Sequence, residues 1–240
     1  DKSQAGPAPA GADVLAAAGR LLLPGYVDAH VHGEAAVLDD DVQLAMLRQG
    51  VTSVVVGQDG VSYAPSPRPD ADGGPAASGL HDAAAWASGY FAAINGEHPT
   101  FRGGSVADLL ATYDGTTRVN VGYLAPHGTI RYAVLGAAAR PATPAETDRM
   151  LVLLASALDD GALGLSTGLE YVPATYADEA ELVALARVLA ARGVPHVSHM
   201  RGYEDRAAPA FAALVREARE SGVATPVWRS PGPAARRGGR

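Results

Sequence analysis

Apolar positions along this chain recur in two rhythms. Short continuous apolar runs, suited to strands buried on both faces, alternate with segments whose apolar residues return every three or four positions, as on one face of a helix. The clearest run is Val51-Thr52-Ser53-Val54-Val55-Val56, β-branched and uninterrupted. Further strands are predicted over residues 21–30, 119–124, 162–166 and 194–199, with the start of a sixth at 223–227. Between them, Leu151, Leu154, Ala155 and Leu158 share one helical face, as do Leu182, Leu185, Ala186 and Leu189, and then Phe211, Leu214, Val215 and Ala218. Gly161, Gly193 and Gly222 close these three helices, at the position where a chain leaving a helix often turns left-handed. Shorter helices are predicted over 40–49, near 81–94, and from a Ser105 cap to Tyr113, while most of 60–104 is rich in Pro, Gly and Ala. Strand, helix, glycine, strand is the βα repeat of a parallel sheet. About five such units are visible, which by count alone fits a doubly wound open sheet; a (β/α)₈ barrel takes about 250 residues and eight units.

Composition narrows the class without changing the architecture. The 240 residues are 48% hydrophobic and 19% charged, which suits a packed globular chain. A net charge of −7, with no basic stripe before the extreme C-terminus, argues against a nucleic-acid partner. No apolar stretch approaches the roughly 18 residues a membrane helix needs, and the N-terminus shows no basic segment followed by an apolar core, so a cytoplasmic location is expected. Cysteine is absent, which leaves His, Asp and Glu as the ligands for any metal. Both ends differ in character from the middle: residues 3–12 are Pro/Gly/Ala-rich without periodicity, and from about Ala224 the composition turns to Pro, Gly and Arg. The expected organisation is therefore a lead-in over 1–20, a folded unit over 21–222 and an irregular tail over 223–240, read as truncated or frame-disrupted.

Polar residues gather where strands end. His30 and His32 follow the first strand, Gln58 and Asp59 the second, Pro126-His127 the third, Ser166-Thr167 the fourth, and His199 closes the fifth. Catalytic groups of (β/α)₈ barrels sit at that end, which tips the expectation from an open sheet to a barrel. Side chains alternate along a strand, so His30 and His32 point to the same side and could share a metal ion. His196 and His199, three apart, face opposite sides; His199 suits the site and His196 the packing between sheet and helix. Asp59 precedes Gly60 and reads equally as a turn residue, and His127, before Gly128, reads as a solvated loop residue. His81 and His98 lie in the irregular stretch and carry no assigned role. Three histidines and an aspartate on one rim would suit one or two divalent cations, which acidify water and polarise a carbonyl.

Pro24-Gly25-Tyr26-Val27-Asp28-Ala29-His30-Val31-His32 resembles the strand-one metal motif of the amidohydrolase superfamily. The segments 50–65, Gly128-Thr129-Ile130-Arg131, 161–171 and Ser198-His199-Met200-Arg201 are similar to those of the N-acyl-D-amino-acid deacylases, or D-aminoacylases, in order from about Leu21 to Gly222. The resemblance implies an incomplete (β/α)₈ barrel of about five to six βα units, with residues 1–20 a remnant of a small N-terminal β-sandwich. It implies zinc-dependent hydrolysis of the linear amide of a small molecule, an N-acyl-D-amino acid. His30 and His32 would hold one metal, and His199 would belong to a second position. Asp59 would stand as a metal ligand where the family often has a cysteine, in Asn-Cys-Gly; here the triplet is Gln58-Asp59-Gly60. Tyr171 would lie against substrate, its hydroxyl placed to stabilise an oxyanion. A second metal histidine after strand six and an aspartate base after strand eight have no counterpart in the chain, so it is expected to be inactive or nearly so. Two alternatives stand beside this: a cyclic-amide hydrolase, disfavoured because no lysine follows Lys2 to bridge two metals, and a non-catalytic truncated fragment.

Overall fold

In the computed structural model of the chain, the described residues are 9–68, 79–94 and 96–225. Among the described residues, every pairing between named strands is parallel. Strand β1 (Tyr26–Asp28) lies beside β2 (Val51–Val56), which lies beside β3 (Asn120–Tyr123). Strand β4 (Ala125–Pro126) then pairs with β5 (Leu165–Gly168), and β5 with β6 (His196–His199). These form two three-stranded sheets, but one residue, Leu124, separates β3 from β4. Its amide still bonds to Val56 O (3.0 Å), whereas the next amide, Ala125, bonds to Gly164 O (2.9 Å). The chain thus hands its pairing from β2 to β5 within one step, and the wall runs on. Beyond β6 the amide of His196 donates to Ala224 O at 3.0 Å, so the segment after the last helix begins to pair in turn. The remainder of the predicted sixth strand lies outside the described residues.

The helices are α1 (Asp40–Arg48), α2 (Ala83–Tyr90), α3 (Val106–Ala111), α4 (His127–Leu135), α5 (Pro144–Asp159), α6 (Glu179–Arg192) and α7 (Ala207–Ser221), and all but α4 follow the local signals. Ser105 opens α3 and Thr143 opens α5, each as a reciprocal capping box, with Pro144 at the first helical position of α5. Gly193 and Gly222 end α6 and α7 in left-handed conformation, as their positions predict. Met150, Leu154, Leu185 and Leu189 pack from α5 and α6 against Val54, Val56, Ala125 and Leu165 of the sheet, all nearly or wholly shielded from solvent. Burial of this kind, roughly 25 cal/mol per Å² of apolar surface, is what holds the helices on the sheet.

Three elements depart from the pattern reading. The first strand is shorter than 21–30: Leu21, Leu22 and Leu23 are exposed, and regular pairing starts only after Pro24, which has no N–H to donate. The fourth predicted strand moves to Leu165–Gly168, because the amide of Ala162 is still held by Ala157 O of the preceding helix. Helix α4 was not expected at all. All of its residues but Tyr132 are buried, so no polar face marks a helical period, and Gly128 and Thr129 are poor helix formers. Of the expected lead-in, residues 9–20 form no helix or strand; residues 1–8 and 226–240 lie outside the described residues. Among the described residues, no helix is long and apolar enough to cross a membrane.

Candidate metal centre

His30 and His32 stand just past β1, in chain that still tracks β2 through a bond from the Val31 amide to Val55 O (3.3 Å). Asp59 stands past the end of β2. The buried side chain of Gln58 ties the two strand ends together, donating to Ala29 O (2.9 Å) and Val55 O (3.0 Å). As a result Nε2 of His32 donates to Oδ2 of Asp59 at 3.1 Å, and Nε2 of His30 lies 3.6 Å from the same oxygen. One ligand atom from each of the three residues falls within 4.8 Å of the others. Two ligands on one tetrahedral zinc, with bonds of 2.0–2.2 Å, stand about 3.3 Å apart. The two histidine–carboxylate spacings, 3.1 and 3.6 Å, straddle that value, and two imidazole nitrogens with a carboxylate oxygen are donors that zinc accepts. The residues fit the metal.

The loop carrying Asp59 is clamped from every side. Asp59 itself holds a left-handed backbone (φ 53°, ψ 27°), a conformation that Asp tolerates better than most residues. Flanking Gly57 is also left-handed, and a Cβ there would meet Leu124 O at 2.2 Å, so only glycine fits. Buried Glu34 accepts from Gly57 N (3.0 Å) and Ser62 Oγ (2.8 Å). Thr129, on α4, accepts from Ser62 N (3.0 Å) and donates to Ser62 O (2.8 Å), and Ser166 on β5 accepts from Gly60 N (3.0 Å). Burial pushes the Asp59 carboxyl up, but contact with His30 and His32 and the nearby His199 outweigh it and hold the group below the usual carboxylate range. In return the hydrogen bond to Asp59 raises the His32 imidazole, against the lowering effect of burial.

His199, at the end of β6, reaches the same place from the other side. Its Nδ1 is 3.7 Å from Asp59 Oδ1, so the two carboxylate oxygens face different histidines. Tyr171 lies against the His199 ring with centroids 4.9 Å apart, and Tyr203 packs edge-on at 4.8 Å. Burial, together with the charges of Asp59 and Glu170, pushes the Tyr171 hydroxyl up to about 12, which keeps it a proton donor near neutrality. The structure therefore brings all five predicted site residues, His30, His32, Asp59, His199 and Tyr171, to one rim. Three partners escaped the pattern reading. Glu170 bonds His199, Tyr203 braces it and Glu34 supports the loop. Glu170 was visible as a carboxylate just past a strand end, but no spacing tied it to a histidine.

The other histidines take structural places. His127 is not a solvated loop residue: it is fully buried at the start of α4, with Nε2 2.7 Å from Glu181 Oε1 on α6. Local sequence hid this because the partner is 54 residues away. His196 packs between sheet and helix as its alternation predicts, with Nδ1 2.8 Å from Glu217 of α7. His98 is buried, and its Nδ1 accepts the amides of Thr100 (3.3 Å) and Phe101 (2.9 Å). His81 lies against Tyr132, ring centroids 5.9 Å apart.

Known proteins match both the sequence and the fold. A model of the Amidohydrolase family matches residues 13–234. An N-acyl-D-glutamate deacylase of Alcaligenes xylosoxydans xylosoxydans is 37% identical over 216 residues, covering 88% of this chain and 40% of its own length. The crystal structure of a D-aminoacylase superposes with a TM-score of 0.69 at 30% identity, covering 85% of this chain and 40% of that one. The N-acyl-D-glutamate deacylase from Bordetella bronchiseptica, solved with zinc and a phosphonate inhibitor that mimics the tetrahedral intermediate, superposes at 0.68 with 33% identity over 84% of this chain and 39% of its own. The chain thus spans about 40% of the length of the relatives it matches, and its parallel βα wall corresponds to the TIM-type barrel of those structures. With its family motifs in order and its strand-end histidines and aspartate on one rim, this chain belongs to the amidohydrolase family.

Proposed function

We propose that the protein is a zinc-dependent hydrolase of N-acyl-D-amino acids, cleaving their linear amide, on a (β/α)₈ scaffold of which this chain forms about five to six βα units. The observation that carries the reading is the convergence of His30, His32 and Asp59, with His199 facing the second oxygen of the same carboxylate. The relatives named as N-acyl-D-glutamate deacylase and D-aminoacylase supply the substrate class. His30, His32 and Asp59 hold one cation, and Asp59 and His199 face a second position. Zinc bound there supplies Lewis acidity, which eases deprotonation of a water and polarises the amide carbonyl. Tyr171, protonated near neutrality, is placed to donate a hydrogen bond to the oxygen on which charge develops.

Metal analysis and an enantiomer assay test this together. After dialysis against zinc, the protein is expected to retain roughly one tightly held ion, lost in His30→Ala and in the presence of chelator. Hydrolysis of N-acetyl-D-amino acids, and not of their L-enantiomers, is expected of a protein that carries the whole barrel; this chain alone, with no counterpart of the aspartate base, is expected to show little or no turnover. A protein that retains no zinc, or one that prefers L-substrates, would overturn the proposal.

A further inference from the structure

Glu170 has no role in the reading above, yet it makes a direct contact with the site. It sits between the end of β5 and Tyr171, and its Oε2 lies 3.0 Å from Nε2 of His199. An ionised carboxylate only accepts hydrogen bonds, so at that distance the proton belongs on His199 Nε2. The other ring nitrogen, Nδ1, is 3.7 Å from Asp59 Oδ1. That is beyond hydrogen-bond reach, but close to the roughly 3.3 Å between two ligands of one tetrahedral zinc. A half-turn of the ring would put carbon where each nitrogen stands. Tyr171 and Tyr203 crowd the ring at 4.9 and 4.8 Å, and Tyr203 is itself held by a bond from the Met200 amide to its hydroxyl (3.2 Å).

We propose that Glu170 is a positioning residue: it fixes His199 as the tautomer protonated on Nε2, leaving the Nδ1 lone pair aimed toward Asp59 to receive a divalent cation. A ligating histidine whose second nitrogen is anchored by a carboxylate is a recurrent arrangement, because the anchor sets both ring orientation and ligand basicity. Glu170 thus acts through His199. The inference rests on the zinc reading of the site and deepens it.

The test compares Glu170→Leu, which removes the acceptor, with Glu170→Gln, whose amide oxygen still accepts from Nε2–H. The first readout needs no metal. With ¹⁵N-labelled imidazoles at alkaline pH, the wild-type chain is expected to show an Nε2-bound proton on His199, protected from exchange and assigned by its loss in His199→Ala. Protection is expected to persist in Glu170→Gln and vanish in Glu170→Leu. The second readout is zinc affinity. Glu170→Leu is expected to weaken the component that depends on His199 by about 10–100-fold, leaving the component lost in His30→Ala unchanged, and Glu170→Gln to recover most of the loss. A proton found on Nδ1, or protection unaltered in Glu170→Leu, overturns the inference. Equal loss of zinc in Glu170→Gln and Glu170→Leu also overturns it, since Glu170 would then be a ligand itself. Absence of zinc from every variant overturns the metal reading instead, and the imidazole signal still decides the role of Glu170.

Discussion

Asp59 holds a left-handed backbone at φ 53° and presents a carboxylate that three histidines approach. The two properties belong together, because the turn lifts the side chain off the line of β2 and swings it toward the end of β1. A carboxylate suits such a position because its two oxygens can face both sides at once. His98 shows the opposite use of an imidazole, as a buried acceptor whose pKa falls to about 4 through desolvation and the nearby Arg102 charge. Its folded pKa is depressed below the unfolded value near 6.5, so the unfolded chain takes up the proton first as pH drops. Stability should therefore fall between about pH 6.5 and pH 4, with a contribution from His98 of about 2 kcal/mol at pH 5 relative to pH 7. Urea unfolding at the two pH values measures it, and His98→Gln, which has no titrating ring, should flatten the difference.

Among the elements, the loop after β2 is the one on which the site depends, and its support is non-local. Glu34, Thr129 and Ser166 hold it from the segment after β1, from α4 and from β5. The tightest contact is with Gly168 at the end of β5, where an added Cβ would stand 2.0 Å from Asp59 O. Gly168→Ala must therefore displace the Asp59 loop, at a cost of about 1–3 kcal/mol for overpacking. Zinc affinity is the sharper measure: it is expected to fall at least tenfold, by isothermal titration, even where circular dichroism reports a folded protein. Helices α3, α5, α6 and α7, by contrast, are locally specified. The capping boxes at Ser105 and Thr143 and the left-handed Gly193 and Gly222 place their ends within a residue or two of where the sequence suggests.

At the scale of the molecule, a buried ionic tie joins α4 to α6. Glu181 is almost wholly buried and takes His127 on one oxygen, at 2.7 Å, and Arg131 on the other. Burial alone would push the Glu181 carboxyl up; His127 and Arg131 outweigh it and hold the group low, hence ionised. Glu181→Gln leaves the Arg131 charge buried without its counter-ion, and chemical denaturation should show a loss of about 3–5 kcal/mol. Because α4 also carries Thr129, the variant should loosen the metal loop as well, so that zinc affinity drops along with stability.

The sequence by itself determined the alternation of strand and helix, the helix ends, and the pairing of His30 with His32 on one side of an extended chain, because these follow from periodicity and local backbone preference. It also marked His199 and His196 as facing opposite ways. Tertiary structure alone decided three things. Helix α4 is buried nearly all round and so has no amphipathic signature. Asp59 becomes part of the site because Gln58, Ser166 and Glu34 bend its loop inward. His127 and Glu170 found partners 54 and 29 residues away, one inside the fold and one at the rim. Local sequence sets which way a side chain can point along its own element. Which distant group it meets is set by the packing of whole strands and helices, where the burial energy lies.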